Sequence, residues 1–408
     1  MKEKPFLSDI SQLSPVELAK LLRQCLLSAV LCIVFIGIAE GQVSGAKEIL
    51  RCVLGKEQGE VATSVVELAD GGLLVAGYEY DDWDSEWDAL ILRVGSNGDQ
   101  IWRRSSDRLG NDYAWVVRSI NENRFVLVGT RETANGDAAG YMECIDSNGK
   151  RLWLKTYGGP KNEALWAAEP TIDGGFILAG QTDSEGAGGL DFYIVRTDSE
   201  GRELWSRAFG GPTTDRAFGI GLSSDGGALI AGFQGENTET MNILLLRVDA
   251  KGDELWRRTL TGDRFDVAHD VLRVADGGFV ISGYTSSFGP GDQDGFLMRL
   301  SDEGRMLWMK MYGDDADDRV LHVALMADGG FVFVGYSKPV EGKIWDMVIR
   351  RVDPHGNLLW SHRAFGSVGK DVIVSQDGSV TAVGSTRSGI KSYDDILILR
   401  VAPENHSD

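Results

Sequence analysis

Cysteine, histidine and proline are all scarce in this chain, and each scarcity removes a class of protein. Four cysteines occur (Cys25, Cys32, Cys52 and Cys144) with no C-x-x-C pair, which excludes zinc ribbons and thioredoxin-like redox chemistry. Of the 5 histidines, none forms an H-x-x-x-H metal pair. The G-x-S-x-G elbow, the P-loop and the dinucleotide fingerprint are also missing. Positive charge is in deficit: 41 Lys and Arg face 61 Asp and Glu, a formal charge of −20. Such a surface repels phosphate, so no nucleic-acid partner is expected, and solubility is the plainest use of the charge.

Glycine is abundant at 52 residues while proline stays at 9, and 43% of residues are apolar. That balance suits many short strands joined by tight turns, with a large core. The 408 residues could form two or three domains or one repeat array, and the internal pattern decides for the array. A Gly ends an apolar run at Gly77, Gly129, Gly180, Gly232, Gly283, Gly335 and Gly384. A Trp follows D-x-x-G-x-x-L, or a close variant, at Trp102, Trp153, Trp205, Trp256, Trp308 and Trp360. Both series step by about 52 residues, the period of a propeller blade with four short strands. In one unit the strands fall at Leu165–Thr171, Phe176–Gly180, Asp191–Thr197 and Glu203–Phe209. An Asp-Gly-Gly turn joins the first two. The six Trp, in register, read as packing between blades.

The expected fold is therefore an all-β, seven-bladed β-propeller over residues 42–403, with a short tail at 404–408. Closure follows from counting. The Gly series has seven members and the Trp series six, and the last unit stops at Val401 after its third strand. Leu50 lies one period before Trp102. Ile49–Leu54 is thus expected to supply the outer strand of blade 7, leaving no open end. Cys52 and Cys144 then fall in non-adjacent blades and are expected as free thiols.

Upstream, Leu26–Ala39 is an apolar run of 14 that follows Lys2, Lys4, Lys20 and Arg23 and leads into Ala39-Glu40-Gly41. This is the order of a secretory signal, cut near Gly41. Ser14-Pro15-Val16-Glu17 also starts a helix, and a hydrophobic helix from Pro15 to about Ala39 is long enough for an uncleaved membrane anchor. Both readings of residues 1–41 place the propeller outside the cytoplasm, touching a membrane only through that segment. The residues before Cys25 and Cys32 do not form a lipobox.

Blade 2 departs from the repeat. The other blades carry Asp or Asn five residues before an Arg on the third strand: Asp88/Arg93, Asp191/Arg196, Asn242/Arg247, Asp294/Arg299, Asp346/Arg351 and Asp395/Arg400. Blade 2 has Ala139 and Cys144, and Glu122-Asn123-Arg124 replaces its Asp-Gly-Gly. The joint loss suggests that the acid and the Arg share one network, since a buried Arg needs a carboxylate.

Candidate binding residues lie on the variable loops of one face. Trp83, Asp84 and Trp87 sit in the acid-rich run Asp81–Asp88, with Trp345 and Tyr393 on neighbouring loops. Aromatic residues on loops over a rigid scaffold suit a glycan or a protein partner. Asp292-x-Asp294-Gly295 is a fragment of a calcium loop without its terminal Glu. No cofactor is expected, and Ca²⁺ is the one metal these loops would suit. An acid precedes each first strand (Glu60, Asp112, Glu163, Asp215, Asp266 and Asp318) and reads as a turn-stabilising acceptor. First strands line the channel, and one parity carries Arg118, Glu169, Asp270 and His322, which could converge there as an acid–base set.

The runs DGGFILAG and D-x-x-G-x-x-LW, with the following FGG or YGG, resemble bacterial seven-bladed β-propeller repeat proteins over roughly residues 46–401. Val248-Asp-Ala-Lys-Gly-Asp-Glu-Leu-Trp256 is similar to the tryptophan-docking repeat of quinoprotein-type propellers, which include pyrroloquinoline quinone dehydrogenases and non-enzymatic envelope scaffolds. This chain lacks vicinal cysteines and has seven blades where that family has eight, so no catalytic residue carries over. The expectation is an exported, monomeric, non-enzymatic binding or scaffold module for a protein or glycan ligand. The alternative is an extracytoplasmic hydrolase, lyase or quinoprotein-like enzyme acting in the channel.

Overall fold

The computed structural model describes residues 46–55, 59–80, 86–106, 110–235, 241–314, 316–338, 344–387 and 394–402. The hydrophobic N-terminal segment lies outside them, as do Cys25 and Cys32. The described residues form seven antiparallel four-stranded sheets, the blades of a β-propeller. The innermost strands are, in order, Gly59–Glu67, Asp112–Asn121, Glu163–Pro170, Thr214–Leu222, Asp266–Arg273, Asp317–Leu325 and Ser367–Val374.

Blade 7 is completed by Lys47–Leu54, which pairs antiparallel with Asp395–Ala402. Leu50 stands opposite Arg400 as Trp102 stands opposite Arg93 in blade 1. Expectation and structure agree on this strand to within two residues. The core confirms the closure: Val383, Ile396 and Ile398 of blade 7 pack with Ala62, Val65 and Leu73 of blade 1, and Cys52 and Leu54 lie against them.

Burial explains the strand sequences. Second and third strands are sandwiched between neighbouring blades, so Phe176–Thr182 and Asp191–Thr197 are buried on both faces and read as continuous apolar runs. Side chains such as Phe176, Phe192, Phe279 and Phe296 are wholly buried, each worth about 2–3 kcal/mol of transfer free energy. Outer strands are exposed or half-buried over most of their length. Their Trp residues face the next blade, while the residue before each one points to solvent, as at Ile101, Leu204 and Leu255. Ile49, 49% exposed, occupies the same place beside Leu50.

The Trp packing has a fixed partner. The D-x-x-G turn of the following blade ends in a Gly at positive φ. A Cβ on Gly149 (φ 78°) would lie 2.8 Å from the Trp102 ring, and the same holds for Gly252 and Trp205. Both Cys52 and Cys144 are free thiols.

The buried Arg of the third strand has a different partner from the one expected. Arg196 bonds Asp173 of the Asp-Gly-Gly turn in its own blade, at 2.5 and 2.6 Å. Arg247 pairs with Asp225 at 2.6 Å, Arg299 with Asp276 at 2.8 Å, and Arg93 and Arg351 with Asp70 and Asp328. The acid five residues earlier serves elsewhere: Asp88 accepts from Ser106 Oγ at 2.7 Å. Blade 2 has lost the Arg together with the Asp-Gly-Gly turn, and this is the pair that forms one network. The acids before the first strands are buried and do hold turns, as where Gly159 N donates to Glu163 at 3.0 Å and Gly211 N to Asp215 at 2.8 Å.

Candidate binding site in the central channel

Every innermost strand carries a β-bulge at the same register position. The residues left unpaired are Thr63, Trp115, Trp166 and Phe218 in blades 1 to 4. They are His269, Leu321 and Lys370 in blades 5 to 7. A bulge re-aims its extra side chain, and all seven line one cavity of about 430 Å³ on the channel axis. That volume lies in the usual range for small-ligand sites.

The repeat glycines explain the bulges. Each stands on the second strand fourteen residues after a bulged residue, as Gly180 follows Trp166 and Gly335 follows Leu321. A Cβ on Gly180 would run into the carbonyl oxygen of Ala164, and one on Gly335 into that of Arg319. Glycine therefore lets the two backbones approach where the extra residue is accommodated.

Aromatic rings and cations form a collar at this level. Tyr113 and Trp115 stack at 5.2 Å, and Tyr78 lies edge-on to Trp115 at 5.7 Å. Phe218 stacks on His269 at 5.0 Å, and His269 on Tyr284 at 5.6 Å. Burial, with the nearby Lys370 and Arg319 charges, pushes the His269 imidazole down to about 3, so it is neutral at physiological pH. Burial first, then Arg319, also lowers the Lys370 ammonium.

Below the collar lies a charged floor. Arg118 Nε donates to Glu169 at 3.1 Å. His322 sits between two carboxylates, Nδ1 at 3.0 Å from Asp371 and Nε2 at 3.5 Å from Asp270. The four channel residues expected from strand parity thus line the same cavity. Burial raises the Glu169 carboxyl, opposed by Arg118. Both aspartates are also inter-blade staples. Asp270 accepts from Val271 N (2.8 Å) and from Val323 N of blade 6 (3.1 Å); Asp371 accepts from Val372 N (2.8 Å) and from Val65 N of blade 1 (2.9 Å).

Two of the loop aromatics expected at the binding face join the collar's rim. Trp87 begins a third strand, half-buried, stacked on Tyr80 at 4.6 Å and 5.2 Å from Tyr78. Trp345 lies edge-on to Tyr336 at 4.7 Å, beneath the Arg319 guanidinium. Trp83, Asp84 and Tyr393 lie outside the described residues. Sequence reasoning missed Trp115, Trp166, Phe218 and Lys370, although the glycine series marks them at a constant offset. Among the described residues, no group of His, Cys, Asp and Glu is placed to hold a metal.

No protein-family model matches the chain. The regulatory protein FlaEY of Caulobacter vibrioides is 28% identical over 187 residues, which take in 38% of this chain and 19% of that protein. The chain therefore spans a small part of that relative. Among solved structures, the Dos1 propeller superposes with a TM-score of 0.51 at 12% identity, covering 83% of this chain and 77% of its own. BBS1N, solved in complex with ARL6DN, gives 0.50 at 9% identity, covering 89% and 98%. At such identities the likeness is one of fold: the chain is a seven-bladed β-propeller.

Proposed function

We propose that this propeller is an exported binding module that takes the terminal ring of a glycan into the collared mouth of its channel. One observation carries the reading. The blades repeat their core, turns and ion pairs, yet the seven bulged channel positions hold six different residue types. Packing explains a residue that recurs at every blade; it does not explain a ring of unlike side chains converging on one cavity. Rigid aromatic faces suit the C–H faces of a sugar, and the polar floor suits its hydroxyls.

Binding is favoured over catalysis because Asp270 and Asp371 each already accept two backbone N–H bonds, which holds them as fixed acceptors. Export rests on the apolar run at residues 26–39, and N-terminal mass spectrometry of the mature protein tests it. A protein partner on the rim is the second reading, supported by a fold neighbour solved as a complex. Glycan-array screening of the wild type and of a Trp115→Ala/Trp166→Ala variant separates the two. The proposal expects glycan capture that the variant loses while its thermal unfolding remains cooperative. Glycan capture unchanged in the variant would move the site off the channel.

A further inference from the structure

The collar is not electrically neutral. Arg319 and Lys370 come from the innermost strands of blades 6 and 7; both charges lower the His269 imidazole, and the Arg319 charge lowers the Lys370 ammonium. Arg319 is held in place by neutral groups. Its Nε donates to Gln293 Oε1 at 2.7 Å and its Nη1 to the Tyr336 hydroxyl at 3.1 Å. Its guanidinium lies over the rings of Tyr284 at 4.6 Å and Tyr336 at 5.6 Å. The Lys370 Nζ lies 5.9 Å from the centre of that same Tyr336 ring.

Among the described residues, neither cation has a carboxylate within 4 Å. Asp394, whose field reaches Lys370, is engaged by Arg387 Nε at 3.1 Å. This is unusual for a chain with 20 more acids than bases. The buried Arg residues of the third strands are met by an Asp, as Arg196 is by Asp173, whereas Arg216, at the position of Arg319 in blade 4, shares its lack of a carboxylate among the described residues. Two like charges drawn together in a partly desolvated pocket destabilise each other. A protein rich in carboxylates had ready means to neutralise them.

We infer that Arg319 and Lys370, which meet at the Tyr336 ring, form an anion subsite at the rim of the channel cavity, and that the ligand is an acidic sugar whose ring carboxylate sits between them. This rests on the glycan reading above and narrows it to uronates. The sugar ring packs on the collar through Phe218 and His269, which line the cavity, while Tyr284 stacks behind His269; the imidazole is neutral and adds no charge. The Arg319 fork and the Lys370 ammonium take the carboxylate oxygens. A monoanion fits better than a phosphate dianion, because the floor below carries Glu169, Asp270 and Asp371 and repels added negative charge.

Tryptophan fluorescence of the full chain, titrated with methyl glucuronoside, with its methyl ester and with methyl glucoside, tests the assignment. The uronate is expected to bind at least about tenfold more tightly than the ester, the scale of a charge-assisted hydrogen bond. Arg319→Gln and Lys370→Met should each erase that preference, so that within each variant the uronate and its ester bind with equal affinity. Thermal unfolding should be unchanged or raised in Lys370→Met, since a desolvated charge is removed. Equal binding of acid and ester, or a preference that survives both substitutions, overturns the anion subsite and leaves the glycan reading intact. Binding of none of the three sugars overturns both.

Discussion

Leu50 stands to Gly98 as Trp102 stands to Gly149. A Cβ on Gly98 would lie 3.3 Å from Leu50 Cδ1, and Gly98 holds φ at 89° in the equivalent turn, which reads Gly95-Ser96-Asn97-Gly98 in blade 1. The N-terminal strand therefore reproduces the contact by which each outer strand grips the following blade. Deleting residues 45–55 should strip Asp395–Ala402 of its partner and open a sheet edge. Urea denaturation is expected to show a large drop in midpoint. Ile49→Lys, on the solvent face of the same strand, should stay within about 0.5 kcal/mol of wild type.

The glycines that face the bulges should tolerate no side chain. Gly180→Ala drives a methyl group into the Ala164 carbonyl, so one backbone must move. A loss of about 2–3 kcal/mol is expected by chemical denaturation, the upper part of the overpacking range. Gly211→Ala, where a Cβ meets nothing within 4 Å, is the control and should cost little.

The Arg–Asp bridges set the acid limit of stability. Asp173 is drawn down to about 2 by bonds from Thr171 and Arg196, and Asp225 to about 2 by Arg247 and the Gly227 N–H, against an opposing effect of burial. A carboxyl depressed in the folded state stabilises above its unfolded pKa, and that stability is lost as pH falls from about 4 to about 2. Wild type should lose stability steeply across that window. The loss should be shallower in Asp173→Asn/Asp225→Asn, read as urea midpoint against pH.

Asp191 and Asp215 predict the opposite sign. They flank Gly210, both buried, and burial raises both; the Asp215 charge raises Asp191 further. A raised carboxyl stabilises below its unfolded pKa, and this contribution is lost as pH rises through the folded value. Asp191→Asn should therefore gain on wild type between pH 4 and pH 7. A denaturation series over that range checks the trend.

The fold was legible because the blade is read seven times over. A glycine forced by backbone approach recurs in all seven blades and a tryptophan forced by inter-blade packing in six, and the difference between the two counts located the closing strand, where Leu50 takes the Trp position. The channel was less legible, because a bulge breaks strand alternation. Arg118 and Glu169 lie three residues beyond their bulges, and Asp270 and His322 lie one beyond. A single parity happened to catch four residues of the floor and passed over the collar above it. The Arg partner was misread for a related reason: Asp191 is close to Arg196 in sequence, but the hairpin turn carries Asp173 next to it in space. Trp87 looked like a loop residue because strand starts are hard to place beside acid-rich runs, whereas Trp345 does stand on its loop, one residue before the strand Asp346–Val352. The structure puts both half-buried among other rings.

The central claim is that ligand recognition takes place at the unlike side chains of the channel rather than on the repeated surface. Fluorine NMR of 5-fluorotryptophan-labelled protein, titrated with methyl glucuronoside, tests it most directly. Assignment would come from single Trp→Phe variants. The account predicts that the Trp115 and Trp166 resonances shift with a common affinity while Trp205 and Trp256, on outer strands, stay fixed. Shifts confined to the outer strands, or none at Trp115 and Trp166 when binding is seen by another probe, would contradict it.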